Sequence, residues 1–466
     1  MILNAFDHPT IVALSTPQGE GAIGVVRLSG AKAFDIADQI FEGKQKIVDQ
    51  GTHTLQFGKI ADEGKLIDEV VVAVFKGPRS YTGEDVVEIS SHGSPYILSK
   101  LVELCLTKGA SPAKPGEFTM RAFLNGKLDL SQAESVADII AAENKAQHDL
   151  ALNQMRGGYS DSIAALRNEL IEFAALIELE LDFSEEDVEF ANREKFNELI
   201  HKLQNKVATL IQSFALGNVL KNGIPVAIVG EPNVGKSTLL NSLLQEEKAI
   251  VSDIAGTTRD FIEDTITIDG ILFRFIDTAG IRETHDQLEA MGIDRSFQKM
   301  KSARMILFMA DIESGYKNIV EEYNKLTFTA EQEVIILLNK SDKIVDCNAY
   351  DIEEAISTLT RRSVLEISAF HGRNIDKLKE LLVKVVLKEK MQFQGQIVTN
   401  SRHFNALKET LSHLEQIEKG LIHNISGEFL SIDIKMALHS LGQITGAIEM
   451  DKDILGTIFG KFCIGK

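Results

Sequence analysis

The sequence predicts a multidomain α/β protein. An α+β domain covers residues 1–120, a helical domain is split between 121–215 and 381–466, and a doubly wound α/β module at 216–380 is inserted between the helical parts. Three observations predict this layout. Short β-branched runs broken by Gly- and Pro-bearing turns fill the first 120 residues. Apolar residues at three- and four-residue steps dominate two separated tracts. Between those tracts, strand-like apolar runs alternate with polar, Gly-bearing loops. A chain of 466 residues has room for two to four domains, each with its own core.

In the first domain, Thr10–Leu14, Gly24–Leu28, Glu69–Phe75 and Asp85–Ile89 read as strands, and 31–42 and 95–108 as helices. Gly19-Glu20-Gly21-Ala22-Ile23-Gly24 matches the G-x-G-x-x-G dinucleotide fingerprint. The next residues, Val25-Val26-Arg27-Leu28, are largely β-branched and open no helix, so no helix N-terminus would face a pyrophosphate and the segment reads as a turn. That removes a nicotinamide oxidoreductase from consideration. His92 has no metal-ligand companion nearby in sequence and reads as structural.

In the helical parts, Ile163, Leu166, Leu170, Phe173 and Ile177 form one apolar stripe, and helical spacing returns at 385–455. The two tracts are either separate small bundles or one domain interrupted by an insertion. Neither tract looks self-sufficient, which favours the insertion. The cluster Asp182, Glu185, Glu186, Asp187 and Glu189 lacks the spacing and loop glycine of a calcium site and reads as a solvated face.

The inserted module carries the chemistry. Gly230-Glu231-Pro232-Asn233-Val234-Gly235-Lys236-Ser237 spells G-x-x-x-x-G-K-[ST], between the apolar strand Ile224–Val229 and the helical run Thr238–Leu244. Such a loop aims backbone N–H groups and a helix N-terminus at phosphate oxygens. Lys236 would reach the β/γ-phosphates and the Ser237 hydroxyl would ligate magnesium. Asn339-Lys340-Ser341-Asp342 follows the apolar run Glu333–Leu338. A carboxylate at Asp342 accepts from N1–H and the exocyclic amine of guanine, for which adenine offers no matching donor pair. Between these motifs lie Gly256-Thr257-Thr258-Arg259-Asp260 and Asp277-Thr278-Ala279-Gly280, the latter after the strand Ile271–Ile276. Asp277 would hold magnesium through water, Thr258 would add a second hydroxyl, and the Gly280 N–H would touch the γ-phosphate. Ser368-Ala369 fits a backbone loop against guanine. The ordered set identifies a GTPase module.

Many GTPases place a Gln after Asp-x-x-Gly to orient the attacking water. Here Ile281 stands there and cannot polarise water, leaving Arg282, Glu283 and Glu289 as candidates. Asn233 brings a short carbonyl-bearing side chain to the phosphates. It could ligate a monovalent cation, which would supply the charge that an arginine finger supplies elsewhere.

The formal net charge of −19 argues against a chain coated by nucleic acid, though a local basic patch could still contact RNA. No stretch of eighteen apolar residues exists, and the first residues show no basic region followed by a long apolar one, so neither a membrane span nor a secretory signal is expected. Three scattered cysteines, Cys105, Cys347 and Cys463, suit a reducing, cytoplasmic setting. Cys463-Ile464-Gly465-Lys466 has the outline of a prenylation box, but Lys466 is not a usual last residue, Gly465 is a poor aliphatic and no polybasic stretch precedes it. Phe459-Gly460-Lys461-Phe462 is apolar enough to dock the segment, and Lys461 and Lys466 nearby would favour a thiolate at Cys463.

Across essentially its whole length the sequence resembles the MnmE (TrmE) family of tRNA-modification GTPases. The carrying residues are Gly83–Glu88, Lys114–Leu130 with its Pro115-Gly116-Glu117-Phe118, the inserted GTPase motifs and Phe462–Lys466. The resemblance implies an N-terminal folate-binding and dimerisation domain, a discontinuous helical domain and an inserted Ras-like GTPase domain. It implies a homodimer acting with the flavoprotein MnmG (GidA) in a heterotetramer. Together they would add a carboxymethylaminomethyl or aminomethyl group at C5 of the wobble uridine of tRNA, with a one-carbon unit from 5-formyl- or 5,10-methylene-tetrahydrofolate. By matching positions, Arg27, Glu88, Lys127 and Lys466 would contact the folate, and Cys463 would be required for modification. Guanine nucleotide would meet Asn233, Val234, Gly235, Lys236, Ser237 and Thr238, then Ser252, Asp253, Ile254, Ala255, Gly256, Thr257 and Thr258. Asp277 to Gly280, Asn339, Lys340, Asp342, Ser368 and Ala369 complete the set. Potassium would sit among Asn233, Ser252, Ile254 and Thr257, magnesium at Ser237 and Thr258, and Glu289 would position the hydrolytic water near Arg282. Potassium-promoted closing of paired GTPase domains would be the switch. A GTP-dependent assembly factor bound to ribosomal RNA fits the GTPase motifs equally, but not Cys463 or the folate-matching domain.

Overall fold

A computed structural model describes residues 8–182, 193–245, 264–276, 302–329, 332–343, 354–358, 360–392, 396–423, 425, 427–447, 455, 458–460 and 462–465. The chain divides into two compact units. One comprises Met1–Ala141, Ala151–Leu203 and Glu409–Lys466, the other Ala142–Leu150 and Gln204–Lys408.

The first unit begins with β1 (Ile11–Leu14), β2 (Gly21–Ser29), α1 (Ala33–Asp38), β3 (Phe41–Gly43), β4 (Thr54–Asp62), β5 (Lys65–Phe75), β6 (Val86–Gly93), α2 (Pro95–Thr107) and β7 (Ser111–Pro112). The strands make one sheet in the order β3-β4-β5-β6-β2-β1-β7, in which only the β1–β7 pair is parallel. Period-two alternation sets its faces. Val70, Val72 and Val74 of β5 turn inward, where Leu98, Leu101 and Cys105 of α2 join the same core. Leu55, Phe57 and Val71 are exposed, and Phe57 and Val71 are opposite each other in the β4–β5 ladder. The same sheet places Glu88 of β6 directly across from Arg27 of β2.

Three local expectations change. The helix expected over 31–42 covers only Ala33–Asp38, because Phe41 opens β3 and pairs with Ile60 of β4. Strand β4 was not expected at all, since Gly58 interrupts its apolar alternation. Gly21 to Gly24 open β2 and pair with β6, so this segment is mostly strand and not the expected turn, and the dinucleotide fingerprint opens no helix.

Helices follow: α3 (Glu117–Leu124), α4 (Leu130–Ile140), α5 (Lys145–Met155), α6 (Ser160–Asp182) and α7 (Arg193–Asn222). The start of α4 is written locally. Asp129 accepts from the Gln132 N–H at 2.7 Å while the Gln132 side chain accepts from the Asp129 N–H at 2.9 Å, a reciprocal capping box. On α6 the expected stripe is present: Ile163, Leu166, Leu170 and Ile177 are fully buried. Phe173 stacks on Phe196 of α7 with ring centroids 4.3 Å apart.

The second unit contains β8 (Ile224–Val229), α8 (Lys236–Gln245), β9 (Asp264–Ile268), β10 (Ile271–Phe275), β11 (Met305–Asp311), α9 (Gly315–Asn324), β12 (Glu333–Asn339), β13 (Ser363–Glu366) and α10 (Ile375–Gln392). Its sheet runs β13-β12-β11-β8-β10-β9, parallel except for β9. Strands β11 and β12 are buried nearly end to end, as strands of a parallel sheet covered on both faces must be. Loops leaving the carboxyl ends of the parallel strands β8, β12 and β13 therefore lie at the same end of the sheet.

Two further helices, α11 (Ser401–Ile422) and α12 (Gly427–Thr445), close the described sequence of helices. Within the first unit α12 packs along α6, burying Leu430, Ile434, Ala437 and Leu441. Phe459 and Phe462 join Leu130 and Ala133 of α4 in a small core of their own.

Candidate functional site

Strand β8 delivers the chain to Gly230, whose φ of +152° and surroundings admit no side chain. A Cβ there would lie 2.1 Å from the Met309 carbonyl of β11. Asn233 has φ +62°, a left-handed conformation that Asn tolerates better than most residues. Gly235, at φ +103°, would bring a Cβ within 2.3 Å of the Asn339 amide nitrogen. These constraints curl the loop so that Lys236 opens α8. The Lys236 ammonium donates to the carbonyls of Gly230 at 2.8 Å and Glu231 at 2.7 Å, spanning the loop it follows. Burial lowers its pKa from the usual lysine value, with the Glu231 charge opposing that shift. Ser237 and Thr238 follow in the first turn, at the positive end of the helix dipole. The arrangement is built to receive an anion.

The second half of the site is organised by Asn339, the last residue of β12 and 4% exposed. Its side-chain nitrogen donates to the Val234 carbonyl at 2.7 Å, and its oxygen accepts from the Ala369 N–H at 2.9 Å. One amide thus joins the loop after β8 to the loop after β13. Ser368 donates its hydroxyl to Asp342 at 2.6 Å, which holds the Asp342 carboxyl below the usual carboxylate range. Lys340, at φ +64°, reaches back to Asp311 at 2.6 Å. Burial works to raise the Asp311 pKa, but the Lys340 ammonium and the Glu313 N–H outweigh it and the net shift is downward. Asp311 was missed in the sequence, although its position after the apolar run Met305–Ala310 is a strand-end signal of the same kind as that of Asn339.

Several expected site residues lie outside the described residues. They are Ser252, Asp253, Ile254, Ala255, Gly256, Thr257 and Thr258; Asp277, Thr278, Ala279 and Gly280; Arg282, Glu283 and Glu289; and Lys461 and Lys466. Cys347 and Glu185 to Glu189 of the acidic cluster are also outside.

In the first unit a separate group assembles around Arg27. Its guanidinium lies 2.8 Å from Glu88 through both Nε and Nη2, and its Cζ is 5.6 Å from the centroid of the Tyr81 ring and 5.5 Å from that of Phe118. The Tyr81 hydroxyl is 2.8 Å from Thr119 Oγ1, and burial raises its pKa. The Lys127 ammonium donates to the Pro78 carbonyl at 3.0 Å, in the same loop that carries Tyr81. Behind this group Arg121, 2% exposed, donates to Glu84, to Glu117 at 2.8 Å and to the Pro9 carbonyl at 2.9 Å. Glu84 also accepts from Ser29 at 2.6 Å. The segment Phe462–Gly465 lies against this group, with the Gly465 carbonyl 3.4 Å from Arg27 Nη1 and Cys463 exposed. The Arg27–Glu88 pairing follows from strand register and has no local sequence signal.

Other sequence candidates fall away from both groups. His92 sits 2.8 Å from Asp68 with its ring largely exposed, and no group of three His, Cys, Asp or Glu among the described residues could hold a metal ion. Among the described residues no helix is long and apolar enough to cross a membrane.

Comparison with known proteins agrees with this architecture. A family model described as "MnmE helical domain" matches residues 130–463, and one described as "GTP-binding protein TrmE N-terminus" matches 10–127. A relative from Cytophaga hutchinsonii, named tRNA modification GTPase MnmE, is 51% identical over 460 residues, covering 98% of each chain. Relatives of the same name from Flavobacterium johnsoniae and Bacteroides thetaiotaomicron are 50% and 46% identical, each covering 99% of this chain and 100% of the relative. Among solved structures, the translation elongation factor SelB from Methanococcus maripaludis with the GTP analogue GppNHp matches at 18% identity. It covers 35% of this chain and 34% of its own with a TM-score of 0.25, too low to carry weight.

Proposed function

The chain belongs to the MnmE family of tRNA modification GTPases, and from that premise we propose that it hydrolyses GTP as a component of the system that modifies C5 of the tRNA wobble uridine. The observation that supports the nucleotide half of this reading is the pair of hydrogen bonds from Asn339 to Val234 and Ala369, which joins the loop after β8 to the loop whose Ser368 holds Asp342. Asp342, steadied by Ser368, would accept from guanine N1–H and its amine.

In this reading Lys236 faces the β/γ-phosphates, and Val234 to Thr238 supply N–H donors. The hydroxyls of Ser237 and Thr258 would hold magnesium, with Asp277 acting through water. Bound there, the ion supplies positive charge to the phosphates. Hydroxyl and carboxylate oxygens are the donor set a hard cation takes. The Asn233 side-chain carbonyl, with Ser252, Ile254 and Thr257, would hold potassium. Glu289 would orient the attacking water, with Arg282 as its neighbour. Ser252 to Thr258, Asp277 to Gly280, Asn339, Lys340 and Ala369 complete the nucleotide contacts.

For the first unit, we propose a tetrahydrofolate site of Arg27, Glu88, Lys127 and Lys466, with Cys463 beside it. A guanidinium close to two aromatic rings and paired with a carboxylate suits a pterin and a glutamate tail. The chain would comprise an N-terminal folate-binding domain, a discontinuous helical domain and an inserted GTPase domain, and would act in the cytoplasm as a homodimer with the flavoprotein MnmG. The exposed Leu55, Phe57 and Val71 on the open sheet face support dimerisation through the first domain.

The test is nucleoside mass spectrometry of tRNA from cells lacking this chain, complemented with wild type or Cys463→Ser. Loss of C5 modification that only the wild type restores is the expected result. Unchanged modification in the deletion would turn the assignment toward a ribosome-assembly GTPase.

A further inference from the structure

We propose that Gly465 is the positioning residue for Cys463: it seats the backbone of Phe462–Gly465 in a groove formed by Leu14, Ser15, Arg27 and Gly116. The inference rests on the proposed role of Cys463 in modification, but the groove itself is a matter of geometry. Gly465 is buried at φ +98°, and a Cβ there would lie 2.2 Å from the Leu14 carbonyl oxygen and 3.0 Å from the Ser15 Cα. Both neighbours are backbone and have nowhere to retreat, so no residue with a side chain fits.

The carbonyls of the segment face the groove. That of Gly465 accepts from the Ser15 hydroxyl at 3.2 Å and from Arg27 Nη1 at 3.4 Å; that of Cys463 accepts from the Gly116 N–H at 3.4 Å. Gly116 repeats the device from the other wall. At φ +66°, a Cβ on it would meet the Phe459 carbonyl oxygen at 2.7 Å. Between the two anchored carbonyls, the side chains of Cys463 and Ile464 remain exposed. The thiol is therefore aimed by its backbone and not by packing of its own side chain. All three bonds are long, so steric fit at Gly465 decides whether the segment stays seated.

Arg27 gives the groove a second property. The same guanidinium binds Glu88 and touches the Gly465 carbonyl, so an anion drawn to Arg27 and the placement of Cys463 share one side chain.

Full-length protein carrying Gly465→Ala, Ser15→Ala or Ser15→Thr tests the proposal by amide hydrogen exchange and tRNA modification. Gly465→Ala should raise exchange in a peptide spanning 458–465 by roughly 10-fold or more, the scale of losing a locally closed state. Exchange in α8 and GTP turnover should stay at wild-type levels. Modification should fall to the level of Cys463→Ser. Ser15→Ala should lie between, and Ser15→Thr, which keeps the hydroxyl, should restore both readouts. Wild-type protection of the peptide in Gly465→Ala would overturn the proposal, as would full modification despite lost protection. If Cys463→Ser itself modifies tRNA normally, the functional reading of that cysteine fails, and the exchange result still decides whether Gly465 seats the segment.

Discussion

Asn339 and Val234 are joined by a 2.7 Å hydrogen bond that ties the end of β12 to the middle of the phosphate loop, 105 residues away in sequence. With the Ala369 N–H on its oxygen, the same amide joins the loops proposed to bind phosphate and guanine. Asn339→Ala leaves two buried backbone groups, the Val234 carbonyl and the Ala369 N–H, without their partner. Leaving such groups unpaired costs about 1–3 kcal/mol, so GTP affinity should fall by roughly 10- to 100-fold. Titration with a fluorescent GTP analogue measures it, and wild-type affinity would remove Asn339 from this role.

Asn233 separates side-chain chemistry from backbone geometry. Its φ of +62° means that Asn233→Ala would strain the loop, whereas Asn233→Gly keeps the left-handed backbone and removes only the amide. If its carbonyl oxygen ligates potassium, Asn233→Gly should abolish stimulation of hydrolysis by potassium while GTP affinity stays close to wild type. Equal stimulation in potassium and sodium for wild type and variant alike would defeat the assignment.

Hydrolysis needs a group that Ile281 cannot supply. Glu289→Ala should lower GTP turnover by about 10²-fold or more, the scale of lost acid–base assistance, with little change in GTP affinity. Near-normal turnover would shift the role to Arg282 or Glu283. Single-turnover phosphate release separates these outcomes from a binding defect.

Arg121 is a stability determinant of the first unit. Its 2% exposure and its bonds to Glu84 and Glu117 make it a buried cation between two carboxylates. Removing one member of such a group costs about 3–5 kcal/mol, because the others stay buried and unpaired. Arg121→Ala should lower the urea midpoint of the first unit by a corresponding amount. The double variant Arg121→Met/Glu84→Gln should recover part of that loss.

Cys105 and Cys463 should differ sharply toward alkylating reagents. Burial pushes the Cys105 thiol up from 9.0 to about 12, whereas Cys463 is exposed. At pH 8 iodoacetamide should modify Cys463 in the native protein and Cys105 only after unfolding, as located by peptide mass spectrometry. The sign of the pH dependence follows from linkage. The folded pKa of Cys105 lies above the unfolded one, so its contribution to stability is complete below pH 9.0 and is lost as pH rises from 9.0 towards about 12. Cys105→Ala should flatten that part of the stability curve.

What the sequence determined by itself was everything set by short-range chemistry. The loop Gly230–Ser237 is legible because phosphate binding needs consecutive N–H groups, a lysine and a helix start within eight residues. The stripe on α6 is legible because burial repeats at the helical period. Asp342 is legible because guanine recognition needs a carboxylate just past a strand. Strand β4 and the short extent of α1 are not legible in the sequence, since Gly58 and Phe41 take their roles from partners across the sheet, whereas β11 carries a local signal in the apolar run Met305–Ala310. The cuts at 203/204 and 408/409 fall inside the continuous helices α7 and α11, where composition does not change.

The tertiary structure alone decided which distant groups meet. Arg27 finds Glu88 through antiparallel register across 61 residues, and Lys340 finds Asp311 through neighbouring parallel strands. Gly465 meets Leu14 and Ser15 from the far end of the described chain. Such pairings depend on strand order and on where a backbone leaves room for no Cβ. Those are properties of the packed chain, and no local pattern of residues encodes them.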